Sequence, residues 1–140
     1  MNDSMYPCLW FNGVAKEAAD FYCSVFPDSR ITSMNPVVVM FEINKFKLMA
    51  LNGGNNFKFN ESVSFVVECR DQEEIDHYWE KLTAGGSESM CGWLKDKYGV
   101  SWQIVPSVLK ELMSDPMRSE KVMKAFLQMK KFNIAKLMEA

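Results

Sequence analysis

No apolar run in this chain exceeds five residues, the longest being Val37 to Phe41, whereas a membrane-spanning helix needs about twenty. The chain is therefore not expected to cross a bilayer. Its first residues, MNDSMYPCLWF, lack a basic leader region and carry Asp3, so no secretory signal is read there. The four cysteines, Cys8, Cys23, Cys69 and Cys91, include no CxxC pair, and a core of this size needs no disulfide staples. Free thiols and a reducing cytoplasmic location are the expectation. A surplus of positive charge is also missing, because the net charge is −2. Residues 107–140 carry +3 and the rest −5, which makes the tail mildly basic but far short of a nucleic-acid surface. What the chain does have is 48% hydrophobic, 13% aromatic and 24% charged residues over 140 positions. That composition excludes a disordered chain, a collagen and a coiled coil, and a chain of this length can bury about 70% of its unfolded surface.

Residues 5–12, MYPCLWFN, read as a strand, with Asn12 and Gly13 supplying a turn and a helix cap. From Val14 an apolar stripe of Val14, Ala18, Phe21, Tyr22, Val25 and Phe26 predicts a helix that Pro27 stops. Arg30 to Leu51 is rich in Val, Ile, Phe and Met, with breaks at Asn35-Pro36 and Asn44-Lys45, which suggests two or three strands. After the loop Asn52 to Asn56 the order begins again. Ser62 to Cys69 alternates with Val63, Phe65 and Val67 on the buried side. Asp71 and Glu74 resemble a capping box before the stripe of Ile75, Tyr78, Trp79 and Leu82, and Gly85-Gly86 end that helix. Strand-like segments follow at Glu88 to Leu94 and Val100 to Val105, around a turn at Asp96 to Gly99.

The order of strand, helix, strands thus appears twice. Phe21-Tyr22 matches Tyr78-Trp79, and Lys45-Phe46 matches Lys97-Tyr98, at offsets of 57 and 52 residues. Beyond Pro106 the chain turns helical, over Val108 to Met113, then from a cap at Asp115 with Pro116 at the first helical position, then from a cap at Asn133.

The segments FYCSVFPDSRI, MALNGGNNFKF, CRDQEEID, CGWLKDKYGVSWQIVP and KKFNIAKLMEA resemble the PhnB-like family. It is labelled 3-demethylubiquinone-9 3-methyltransferase and lies in the vicinal-oxygen-chelate superfamily of glyoxalase and bleomycin-resistance proteins. The likeness runs in order along nearly the whole chain. It implies an α+β fold of two βαβββ modules, residues 1–60 and 61–106, cupping a pocket, with a helical tail at 107–140, one structural domain overall. It also implies a homodimer. The chain departs from the family's pattern where only Ile31 to Pro36 precedes the next apolar run, which implies a shortened rim or hairpin.

Metal-dependent members of the superfamily hold a divalent ion with His, Glu or Gln from corresponding strands, because such an ion needs several N or O ligands within about 2.0 to 2.5 Å. By resemblance the first-strand ligand position falls near Pro7, which offers no donor, and the second-module position near Ser62. The strand Phe46 to Leu51 holds no His, Asp or Glu. Only Gln103 matches. One amide does not hold a metal, so a metal-free pocket with no cofactor is predicted.

The single histidine, His77, falls off its helix stripe and should face solvent. Asp96 reads as turn chemistry. Glu68 shares a strand face with Ser62 and Ser64, where a desolvated carboxylate could serve as a base. Gln103 shares a face with Ser101 and Val105, opposite Trp102 and Ile104. The aromatic set Trp10, Phe57, Phe59, Trp93 and Trp102 is large for this length; burial explains most of it. The candidate ligand-binding residues are Trp10, Asn52, Phe57, Phe59, Ser62, Ser64, Trp93 and Ser101, with Glu68 and Gln103 as the catalytic pair if there is a reaction. Such a pocket suits a small hydrophobic or aromatic molecule. Five of the eleven methionines lie in the tail, which is too apolar to stand free and is expected to pack on its own sheet or, preferably, on a second copy.

Two functions follow: metal-independent binding of a small molecule, or an enzyme of unassigned reaction using Glu68 and Gln103 under the methyltransferase label. A methyl donor usually binds at a Gly-rich turn between strand and helix, and Gly53-Gly54 leads instead into NNFKFNES, read as another strand.

Overall fold

The computed structural model describes residues 4–140, so Asp3, part of the leader reading, lies outside the described residues. The chain divides into two compact units, residues 1–59 and 60–140. In the first, β1 (Cys8–Phe11), α1 (Ala15–Val25), β2 (Ser29–Met34), β3 (Val38–Ile43) and β4 (Phe46–Asn52) form a sheet of order β1-β4-β3-β2. β1 is parallel to β4, and the other neighbours are antiparallel. The second unit repeats the order with β5 (Ser64–Cys69), α2 (Gln72–Thr83), β6 (Ser87–Glu88), β7 (Trp93–Lys95) and β8 (Ser101–Pro106), in the sheet order β5-β8-β7-β6. Again the outer strand is parallel to the last, β5 to β8. Two βαβββ modules result, an α+β fold, followed by α3 (Val108–Ser114), α4 (Ser119–Phe126) and α5 (Ile134–Glu139).

In the first unit small residues let α1 lie close to the sheet. Ala15, Ala18 and Ala19 are fully buried with Tyr22, alongside Val39, Phe41, Leu48 and Ala50 from the strands. Tyr22 stacks on Phe41 at 6.1 Å. The helix cap is not the expected Asn12. Gly13, at φ +79°, is used in the turn; Val14 stands at the cap position with no side-chain bond, and Asn52 Oδ1 accepts the Ala15 N–H at 2.9 Å.

In the second unit Asp71 caps α2 by accepting the Glu74 N–H at 2.9 Å. The reciprocal bond is displaced by one residue, since Glu74 Oε1 accepts from Arg70 N at 2.8 Å. Ile75, Tyr78, Trp79 and Leu82 are buried as the stripe predicts, and His77 is exposed. Three expectations need correction. The strand read from Ser62 begins at Ser64, because Asn60 Oδ1 accepts the Ser62 N–H and holds a turn there, leaving Val63 71% exposed. The segment Glu88 to Leu94 is two short strands, because Cys91 (φ +60°) and Gly92 (φ +81°) turn the backbone between them. Their N–H groups donate to Met129 O at 2.7 Å and Lys130 O at 2.8 Å. Asp115 and Pro116 open a turn, with Asp115 Oδ1 accepting from Met117 N at 2.9 Å, and α4 starts only at Ser119.

The tail packs within its own unit through Leu112, Val122, Phe132 and Leu137, all buried. A Cβ at Gly92 would overlap the Phe132 ring, at 2.5 Å, and Ile104 O, at 2.7 Å, so glycine is required by space as well as by φ. Asn133 caps α5 as expected, accepting from Lys136 N at 3.0 Å. Among the described residues no helix is long and apolar enough to cross a membrane.

Candidate functional site on the sheet of the second unit

Each strand of this sheet has two faces. Phe65, Val67, Cys69, Leu94, Trp102, Ile104 and Pro106 alternate onto the α2 side, where most are buried. The opposite face carries Ser64, Val66 and Glu68 from β5, Ser101, Gln103 and Val105 from β8, and Trp93 and Lys95 from β7. The ladder sets these in rows. Ser64, Ser101, Lys95 and Ser87 are successive partners across β5, β8, β7 and β6, and Val66, Gln103 and Trp93 form the next row. Gln103 Nε2 donates to Ser64 Oγ at 3.0 Å, joining the rows. Sequence alternation sets Gln103 with Ser101 and Val105, opposite Trp102 and Ile104, as found, and the Trp102 side is the one that α2 covers.

At the β6 side this face opens into a hollow of about 520 Å³ whose lining includes Glu61, Ser87, Met90, Trp93, Lys95 and Ser101. Ser101 is 1% exposed, and its hydroxyl has no hydrogen-bond partner. Buried polar atoms almost always have one. Lys95 Nζ lies 3.1 Å from Glu61 Oε2; the hydrogen bond from Lys95 holds the Glu61 carboxyl below its ordinary range. Glu88, also at the hollow, accepts the Trp79 indole N–H at 2.6 Å. Sequence reasoning missed Lys95, Glu61 and Ser87: the strand register sets Lys95 and Ser87 in the row of Ser101, and the turn before β5 brings Glu61 to Lys95.

The remaining predicted residues divide. Glu68 is exposed on the same face, opposite Val105. Ser62 sits in the turn before β5, its hydroxyl bonded to Asn60 Oδ1 at 2.5 Å. In the first unit Trp10 donates from Nε1 to Gly54 O at 2.9 Å, packs where a Cβ on Gly53 would fall, and meets Phe57 edge-on at 4.9 Å. Phe57 is 65% exposed. Phe59 packs edge-on against the buried Phe11 at 5.4 Å. The amide of Asn52 is committed to the fold, capping α1 at one end and donating to Pro36 O at 3.1 Å from the other. Asp96, 2% exposed, shapes its turn by accepting from Tyr98 N and Val100 N and also fixes the Trp102 indole at 2.9 Å. A second hollow, about 500 Å³ in the first unit, is lined by Asp28, Ser29, Arg30, Glu42 and Lys45, with Arg30 and Glu42 paired at 3.2 Å.

The positions that resemblance marks for metal ligands carry few donors. Pro7 precedes β1, and the helix-free faces of β1 and β4 offer Cys8, Trp10, Lys47, Met49 and Leu51; in the second unit the corresponding faces of β5 and β8 offer Glu68 and Gln103 beside two serines. Among the described residues no three His, Cys, Asp or Glu side chains come together.

The family described as 3-demethylubiquinone-9 3-methyltransferase matches residues 3–105. The chain belongs to this family. The PhnB protein of Bacillus cereus is 33% identical, at a TM-score of 0.68, over 74% of this chain and 98% of that one. Family residues therefore include β1 through nearly all of β8, and the tail beyond Pro106 lies outside the match. More distant structures share the glyoxalase-like fold. A glyoxalase-related enzyme from Fulvimarina pelagi is 16% identical with a TM-score of 0.55 over 75% of this chain and 88% of its own. The fosfomycin resistance protein FosX of Listeria monocytogenes, complexed with Mn(II) and sulfate, is 13% identical with a TM-score of 0.59, over 79% and 94% respectively. No curated protein matches the chain.

Proposed function

We propose that this family member is a metal-independent binding protein for a small, flat molecule, with its site on the helix-free face of β5, β8 and β7. One observation carries the reading: Ser101 lines a hollow, and its buried hydroxyl has no partner. An unsatisfied buried hydroxyl lowers stability by about 1 to 3 kcal/mol, and a ligand group that bonds it removes that penalty. Trp93, half-buried beside it, offers an aromatic wall, and Gln103 with Ser64 offers an amide and a hydroxyl. Such a mixture of one ring and a few polar groups is what small-molecule sites use. Calorimetric unfolding with benzamide as probe tests it. At a hundredfold excess over the dissociation constant binding adds about 2.7 kcal/mol, and Trp93→Ala is expected to abolish the shift; no shift in the parent protein contradicts the reading.

A second reading, an enzyme, is supported by Glu68 and Gln103 standing on one face in adjacent strands. Glu68→Gln and Gln103→Ala separate the two: unchanged affinity with lost turnover favours catalysis. For the family's label, Gly53-Gly54 leads out of β4 neither into a helix nor into the strand read at NNFKFNES, because residues 53–63 form irregular turns before β5, so the usual methyl-donor turn is not what this loop forms. Self-association belongs to the proposal too. Met117, Met123, Leu127 and Met138 are 42% to 85% exposed on the tail, and light scattering at micromolar concentration is expected to give a dimer mass.

A further inference from the structure

Resting on that binding reading, we infer that the ligand of the hollow carries an oxyanion, held by Lys95 and Ser101, and that Glu61 is a built-in stand-in for it. The spare hydrogen-bonding capacity of the row points this way. Ser64 Oγ already accepts the Gln103 amide N–H, so what it has left to give is its own proton. The Ser101 hydroxyl is unfilled. Lys95 has three N–H donors, with one carboxylate, Glu61, in reach. Ser87, partner of Lys95 across β6, adds a further hydroxyl. The row's one charge is the Lys95 ammonium, and each hydroxyl beside it can turn its proton toward the same place, which is matched by a negatively charged acceptor, a carboxylate or a phosphate.

The charge that occupies this place is already of that kind. Glu61 comes from the short turn before β5, is exposed, and reaches Lys95 from outside the sheet. The other carboxylate at the hollow, Glu88, is taken by the Trp79 indole. A ligand oxyanion replaces Glu61 at Lys95 and gives Ser101 its missing partner, while its ring lies along Trp93. Glu61 thereby weakens binding of every anion by competing for Lys95, and it stops the ammonium from standing uncompensated when the hollow is empty.

Benzoate and benzamide, alike in shape and different in charge, test this by isothermal titration in low salt. The parent protein is expected to bind benzoate about tenfold more tightly, a difference within reach of one charge-assisted contact. Lys95→Met should remove that preference, leaving benzoate no tighter than benzamide. Because Glu61 lies on the surface, Glu61→Gln leaves the fold intact and should tighten benzoate by about fivefold, the modest effect of freeing one exposed pair, with benzamide unchanged. Inorganic phosphate should compete with benzoate in the Glu61→Gln protein, and Lys95→Met should weaken that competition. Equal affinity for both probes, or no effect of Glu61→Gln, overturns the inference and leaves the binding reading standing. Binding of neither probe overturns both.

Discussion

The side-chain amide of Gln72 brackets Phe132 across 60 residues of sequence: Nε2 donates to the Phe132 carbonyl at 2.9 Å, and Oε1 accepts the Ile134 N–H at 2.8 Å. Lys131 adds an ion pair to Asp76 at 2.8 Å, and its hydrogen bond holds the Asp76 carboxyl below the usual range. The tail is thus sewn to the start of α2, and its carbonyls in turn fix the backbone of Gly92 and of Cys91, which lines the hollow.

Removing that bracket should loosen both places together. Gln72→Ala leaves two backbone groups without partners and is expected to destabilise the protein by about 2 kcal/mol. Hydrogen exchange should speed up at the Cys91 and Gly92 amides as well as at Ile134. Faster exchange confined to the tail would show that the rim is held by other means.

Gly92→Ala tests the same junction from the other side. The added methyl meets the Phe132 ring and Ile104 O in a left-handed backbone, which is expected to destabilise by more than 3 kcal/mol. Pairing it with Phe132→Ala should recover part of the loss, because one of the two obstacles is gone; no recovery in chemical denaturation would contradict the packing account.

Asn52 is assigned here to the fold rather than to a ligand. Asn52→Ala should lower stability by about 1 to 2 kcal/mol, the size of a lost helix cap, and leave probe affinity at Trp93 unchanged. A weakened affinity with normal stability would return Asn52 to the binding residues.

Cys69 is fully buried, and burial first, then Glu74 and Asp71, push its thiol up to about 12 from an ordinary 9.0. At pH 8 it stays protonated and should resist a disulfide reagent until the protein unfolds, while the exposed Cys8 reacts. Since the folded form keeps this proton more tightly than the unfolded chain does, stability is intact below about pH 9 and declines as pH rises toward 12. Rapid native labelling of Cys69, mapped by mass spectrometry, would contradict its place in the core.

The two modules were legible because each depends on local signals. Pro27, Asn35-Pro36 and Gly85 end elements by backbone chemistry, and the stripe Ile75, Tyr78, Trp79, Leu82 is buried as its spacing demands. What escaped depends on partners distant in sequence. The α1 cap comes from Asn52, 37 residues away. The break at Cys91-Gly92 is imposed by carbonyls of the tail, and alternation alone cannot foresee it. The site was half readable for the same reason. Period two put Ser101 and Gln103 on one face, but Lys95 and Glu61 join them only through the β7–β8 pairing and the turn at Asn60.

The most direct measurement is titration of benzamide into chelator-treated protein, with and without added Mn(II). The account predicts the same affinity in both, and its loss in Trp93→Ala. Binding that disappears with the chelator and returns with the ion would contradict it.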